Sequence, residues 1–129
     1  MISSIENKVS GVFIPVSDVE RAREWYRDVL GLPVGEVLFG HLCCIPMGNG
    51  LDLLLDQKLT PDEANPEVPR GEYPLFMLPS SDIQESLADF EERGVELVEY
   101  GGSVIQNGHW FNFRDCEGNL LMVCGPPRG

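Results

Sequence analysis

Phe13-Ile14-Pro15-Val16-Ser17-Asp18-Val19-Glu20 opens the first half of the chain, and Met77-Leu78-Pro79-Ser80-Ser81-Asp82-Ile83-Gln84 opens the second. Phe13 aligns on Met77 and Glu20 on Gln84, with one spacing throughout. Each copy is an apolar run, a proline, a short polar turn and an amphipathic stretch that stops at a glycine, Gly31 or Gly94. A repeat of this length, holding a strand signal and a helix signal in the same order, implies two copies of one supersecondary module.

Val9 to Val16 is rich in Val, Phe and Ile and reads as a strand. Ser17-Asp18-Val19-Glu20 has the spacing of a capping box. Beyond it Val19, Ala22, Tyr26, Val29 and Leu30 fall on one helical stripe, which Gly31 ends. Pro33 to Phe39, His41 to Met47 and Leu51 to Asp56 read as three further strands, separated by Gly40 and by Gly48-Asn49-Gly50. The second module repeats this plan. Its elements are a strand at Leu75 to Leu78, a box at Ser81-Asp82-Ile83-Gln84, a stripe of Ile83, Leu87 and Phe90, and strands at Val95 to Tyr100, His109 to Arg114 and Leu120 to Cys124. The expected fold is therefore α+β, two tandem β-α-β-β-β modules (9–56 and 75–125) in one domain over 1–129. The proline-rich connector 57–74 joins them.

Composition bounds the function. The 129 residues carry a formal net charge of -12, with a pI near 4.4, which repels a phosphate backbone and an anionic membrane surface. Neither nucleic acid nor membrane is an expected partner. No apolar run approaches the ~20 residues of a membrane span, and the N-terminus lacks the pattern of a signal peptide. The four cysteines, Cys43, Cys44, Cys116 and Cys124, form no C-x-x-C pair. Free thiols and a cytoplasmic location are the expectation.

Val16-Ser17-Asp18 leading into Ala22-x-x-Trp25-Tyr26-x-x-x-Leu30-Gly31-Leu32 resembles the opening module of the vicinal oxygen chelate superfamily. Its members include glyoxalase I, fosfomycin-resistance proteins, extradiol dioxygenases and bleomycin-binding proteins. Phe113-Arg114-Asp115-x-x-Gly118-Asn119 resembles that superfamily's closing hairpin. The resemblance implies that the paired modules form a curved mixed-sheet cup, in a homodimer. In the metal-dependent members, His, Glu or Gln side chains on the first and last strands of each module hold one divalent ion. The matching positions here are Gly11, Leu75, Met122 and a fourth near Asp52. A divalent ion needs several N or O donors converging at roughly 2.0–2.2 Å, and glycine, leucine and methionine do not supply them. No cofactor is expected; the alternative is one divalent metal ion in a rearranged set of His41, Asp52 and His109.

Candidate pocket residues are His41, Asp52, His109, Trp110, Phe111 and Met122. His41 and His109 are the two histidines, each on a predicted strand, and serve either as local hydrogen-bonding groups or as ligand donors inside the cup. Asp52 interrupts an apolar strand and faces either solvent or the cup. Trp110 and Phe111 point to opposite faces of their strand, so one of them is available to line a pocket. Arg114 beside Asp115 reads as a surface ion pair. The leading expectation is a protein of the glyoxalase and bleomycin-resistance type that binds a small, neutral or cationic organic molecule, with no catalytic residue assigned. The alternatives are a metal-dependent glyoxalase-like lyase, isomerase or dioxygenase, and a non-catalytic interaction module.

Overall fold

The computed structural model describes residues 4–57 and 73–126; most of the 57–74 connector therefore lies outside the described residues. The chain divides into two compact units, Met1–Ala64 and Asn65–Gly129. The first holds β1 (Gly11–Pro15), α1 (Val19–Asp28), β2 (Val37–Leu38), β3 (Leu42–Pro46) and β4 (Asp52–Asp56). The second holds β5 (Met77–Pro79), α2 (Ile83–Glu92), β6 (Glu96–Val98), β7 (Trp110–Arg114) and β8 (Leu120–Cys124). The sheets run β1-β4-β3-β2 and β5-β8-β7-β6, so each module makes the same four-stranded sheet. In each, the first strand lies parallel to the last, and the remaining pairs are antiparallel. No helix among the described residues is long and apolar enough to cross a membrane.

Local chemistry explains the helix limits, with one correction to the expected register. The N-cap of α1 is Asp18, not Ser17: its backbone is extended and its carboxylate accepts from the Arg21 amide at 3.1 Å. Asp82 does the same for the Glu85 amide at the start of α2, again at 3.1 Å. The caps sit one residue further along than a box beginning at serine places them, because a carboxylate satisfies the orphan amide of the third helical residue directly. In the first unit the Gln57 side chain adds a second acceptor, taking the Val19 amide at 3.0 Å. Both helices stop at a glycine with positive φ, Gly31 at 69° and Gly94 at 70°. Gly94 donates to Glu91 and Val95 to Phe90, closing the last turn of α2 with the paired bonds of a Schellman motif.

The cores follow from alternation. Ile14, Cys43, Ile45, Leu53 and Leu55 are buried on one face of the first sheet, together with Val19, Ala22 and Tyr26 of α1. In the second unit Phe111, Phe113, Leu121 and Val123 are buried with Ile83. Phe90 of α2 meets Phe111 and Phe113 edge-on, at ring centroid distances of 5.5 and 4.8 Å.

Several strands are shorter than expected. The run Pro33 to Phe39 contributes only the two residues of β2. Pro33 has no amide to give a ladder. Phe39 and Gly40 both take positive φ, 55° and 76°, to turn the chain back into β3. His41 consequently lies in that turn, and His109 lies in a turn that follows the positive φ of Asn107 and Gly108, so neither is on a strand.

The closing turn of the second unit also corrects an expectation. Asp115 is 6% exposed and so does not sit at the surface as expected. Its Oδ1 accepts from the amides of Glu117 and Asn119, and its Oδ2 from the Asn119 side chain. Arg114 donates to the Gly118 carbonyl.

Candidate ligand-binding site

The face of each sheet turned away from its own helix carries the chemistry. In the first unit the residues alternating with buried Leu53 and Leu55 are Asp52, Leu54 and Asp56. Beside them in register are Gly11, Phe13 and Pro15 on β1 and Leu42, Cys44 and Pro46 on β3. Phe13 is 54% exposed. Asp52 shares this face, half-buried, opposite Gly11 and Pro46.

The internal symmetry identifies the fourth position of the expected ligand set. Gly11 pairs with Asp52 in the first unit, and Leu75 donates its amide to Leu120 in the second. Met122 lies two residues beyond Leu120; the matching residue two beyond Asp52 is Leu54. A Cβ built on Gly11 would approach the Leu54 Cδ1 to 3.2 Å, so the leucine side chain occupies the space beside the glycine. The four equivalent positions are Gly11, Leu54, Leu75 and Met122, and Asp52 is displaced from them.

In the second unit the same side of the sheet presents Trp110, Asn112 and Arg114 on β7, since Phe111 and Phe113 are spent on Phe90. Asn112 pairs with Met122 on β8 and Val98 on β6, and Met122 pairs with Met77 on β5. Met77 is 62% exposed. Tyr100 closes one side: its hydroxyl accepts from Asn112 Nδ2 at 2.9 Å, and its ring meets Trp110 edge-on at 6.1 Å. Two thioethers and two aromatic rings around the Asn112 amide form a mostly apolar surface with few polar groups, the composition of a small-molecule site. An open groove of about 350 Å³ along Ser4, Ile5, Glu6, Lys8 and Ser10 has no aromatic wall.

The expected pocket residues are thus only partly brought together. Trp110 and Met122 share one face of the second sheet, whereas Phe111 faces its core. His41 Nδ1 lies 3.0 Å from Asp56 Oδ1. Asp52 is at the other end of β4, about 13 Å away along a strand rising ~3.3 Å per residue. His109 is exposed and faces the Gly125 carbonyl at 3.4 Å. His41 and Asp52 therefore form no common ligand set, and among the described residues no group of three or more His, Cys, Asp or Glu side chains is placed to hold a metal ion. Asn112 and Tyr100 escaped sequence reasoning. The available signal was an amide in the aromatic run Trp110-Phe111-Asn112-Phe113, where strands disfavour asparagine.

The four cysteines form no disulfide. Burial pushes the Cys43 thiol above its ordinary range, against the opposing pull of Arg23.

Residues 8–123 match the model of the Glyoxalase/Bleomycin resistance protein/Dioxygenase superfamily. The chain belongs to that superfamily. Lactoylglutathione lyase from Agrobacterium tumefaciens superposes with a TM-score of 0.68 at 25% identity, covering 93% of this chain and 94% of its own. TnmS3, an antibiotic binding protein from Streptomyces sp. CB03234, superposes with a TM-score of 0.69 at 25% identity, covering 95% and 98%. The fosfomycin resistance protein FosX of Listeria monocytogenes, 14% identical with a TM-score of 0.70 and 95% of each chain covered, shares the fold. A search of curated proteins finds no significant match.

Gly11 and two leucines offer no side-chain donor, and the Met122 thioether is a poor partner for a hard divalent cation.

Proposed function

We propose that this member of the glyoxalase and bleomycin-resistance superfamily binds a small organic molecule and does so without the metal of its metal-dependent relatives. The observation that carries the reading is the apolar set Gly11, Leu54, Leu75 and Met122, with the Leu54 side chain against the Gly11 backbone. The exposed methionine and aromatic surface of the second unit supports it, because a soluble protein rarely leaves such a surface unused. The antibiotic-binding role of TnmS3 offers a precedent. A net charge of -12 favours neutral or cationic ligands over anionic ones. A homodimer in a reducing cytoplasm is part of the same proposal; four cysteines without a disulfide suit the reducing compartment.

Two measurements test it. Purified protein incubated with Ni²⁺ or Zn²⁺ and then dialysed should retain well under one ion per chain; a stoichiometric, tightly held ion would overturn the metal-free reading. In a thermal-shift screen of neutral and cationic aromatic compounds, binders should raise Tm, because a ligand held only by the folded state stabilises it.

A further inference from the structure

Deepening the small-molecule reading, and resting on it, we infer that the Asn112 side-chain carbonyl is the specificity group of the site and selects a flat apolar ligand bearing an N–H or O–H donor. Asn112 is 3% exposed, and its Oδ1 is the one buried side-chain polar atom among the described residues with no hydrogen-bond partner. Buried polar atoms are almost always paired, and an orphan calls for a physical reason. The other end of the same amide is committed: Nδ2 donates to the Tyr100 hydroxyl. That bond fixes the side chain and leaves the carbonyl oxygen as the unused acceptor. Tyr100 accepts through its oxygen in this bond, so its own proton remains to be donated.

The surroundings define the rest of the ligand. Met122 and Val98 flank Asn112 in register, and Trp110 meets Tyr100 edge-on. Thioethers adapt to irregular shapes at little cost and contact aromatic rings favourably. A planar ring therefore suits this surface, reaching Oδ1 as the flexible Met122 side chain gives way. An unpaired acceptor discriminates by about one net hydrogen bond, because a ligand with a donor satisfies the carbonyl and an analogue without one leaves it orphaned as in the free chain.

The test uses three neutral bicyclic probes of similar shape, followed by NMR titration of the full chain. Indole carries a donor, 1-methylindole carries none, and quinoline carries an acceptor in its place. Indole should bind about tenfold more tightly than either analogue, the scale of one net hydrogen bond, and should move the Asn112 side-chain carbonyl carbon resonance. The Asn112→Val variant should bind indole and 1-methylindole equally. Should that variant not fold, the carbonyl shift in the native chain decides: movement with indole but not with 1-methylindole supports the inference, and equal movement overturns it. Equal affinities for the three probes, with the Trp110 and Met122 resonances perturbed, would remove the role of Asn112 and leave the small-molecule reading standing. Tighter quinoline binding would also overturn the inference. Silence of those resonances with every probe would sink both.

Discussion

Individual residues set the chemistry that each sheet face offers. Leu54 beside Gly11 is the pair on which the proposed metal-free reading rests: one member has no side chain, and its neighbour fills the space with a donor-free group. Asp115 shows the reverse, a charged residue that looks like half of a surface pair yet organises a buried turn. Asp115→Ala strands the Glu117 and Asn119 amides and should destabilise the chain by about 3 kcal/mol in urea unfolding; a loss below ~1 kcal/mol would place the turn's stability elsewhere. Cys43 makes a pH-dependent contribution. Its folded pKa is raised by burial, so the folded chain holds a proton that the unfolded chain releases near pH ~8.5. The contribution is complete below that pH and is lost as pH rises through the higher folded value. Cys43→Val should accordingly show a shallower fall in Tm than the native chain between about pH 8 and 10.

At the scale of elements, the two helices are positioned by short-range chemistry that is readable from composition, though not always to the residue. The pattern serine, aspartate, apolar residue marks both N-termini, but the structure assigns the cap to the aspartate because its extended backbone aims the carboxylate at the third helical amide. Asp82→Ala should therefore cost about 1 kcal/mol, while Ser81→Ala should stay within ~0.5 kcal/mol; equal losses in thermal unfolding would return the cap to serine. Gly94→Ala forces a Cβ into the left-handed region and should cost about 1–2 kcal/mol. Strand ends were less legible. The Pro33 to Phe39 run looks extended, yet the ladder needs partners as well as propensity, and only Val37 and Leu38 find them on β3.

For the whole molecule, the acidic balance is the property that local motifs do not report. A net charge of -12 on 129 residues repels itself. Raising ionic strength from 0.01 to 0.15 M shortens the Debye length from about 30 to about 8 Å. It should raise Tm measurably while weakening any cationic ligand; an unchanged Tm would show that the charges are already paired off. The repeated strand order, with the first strand parallel to the last in both modules, falls within the superfamily match across residues 8–123.

The plan of the modules is legible in the chain alone: apolar alternation, acidic caps and helix-ending glycines act over a few residues, so they can be read without knowing what lies beside them. Tertiary structure alone decided which side chains meet. Leu54 reaches Gly11, His41 pairs with Asp56 and Asn112 holds Tyr100 because strand register and sheet face bring together residues far apart in the chain. A one-residue change in register would send each of them to the opposite face.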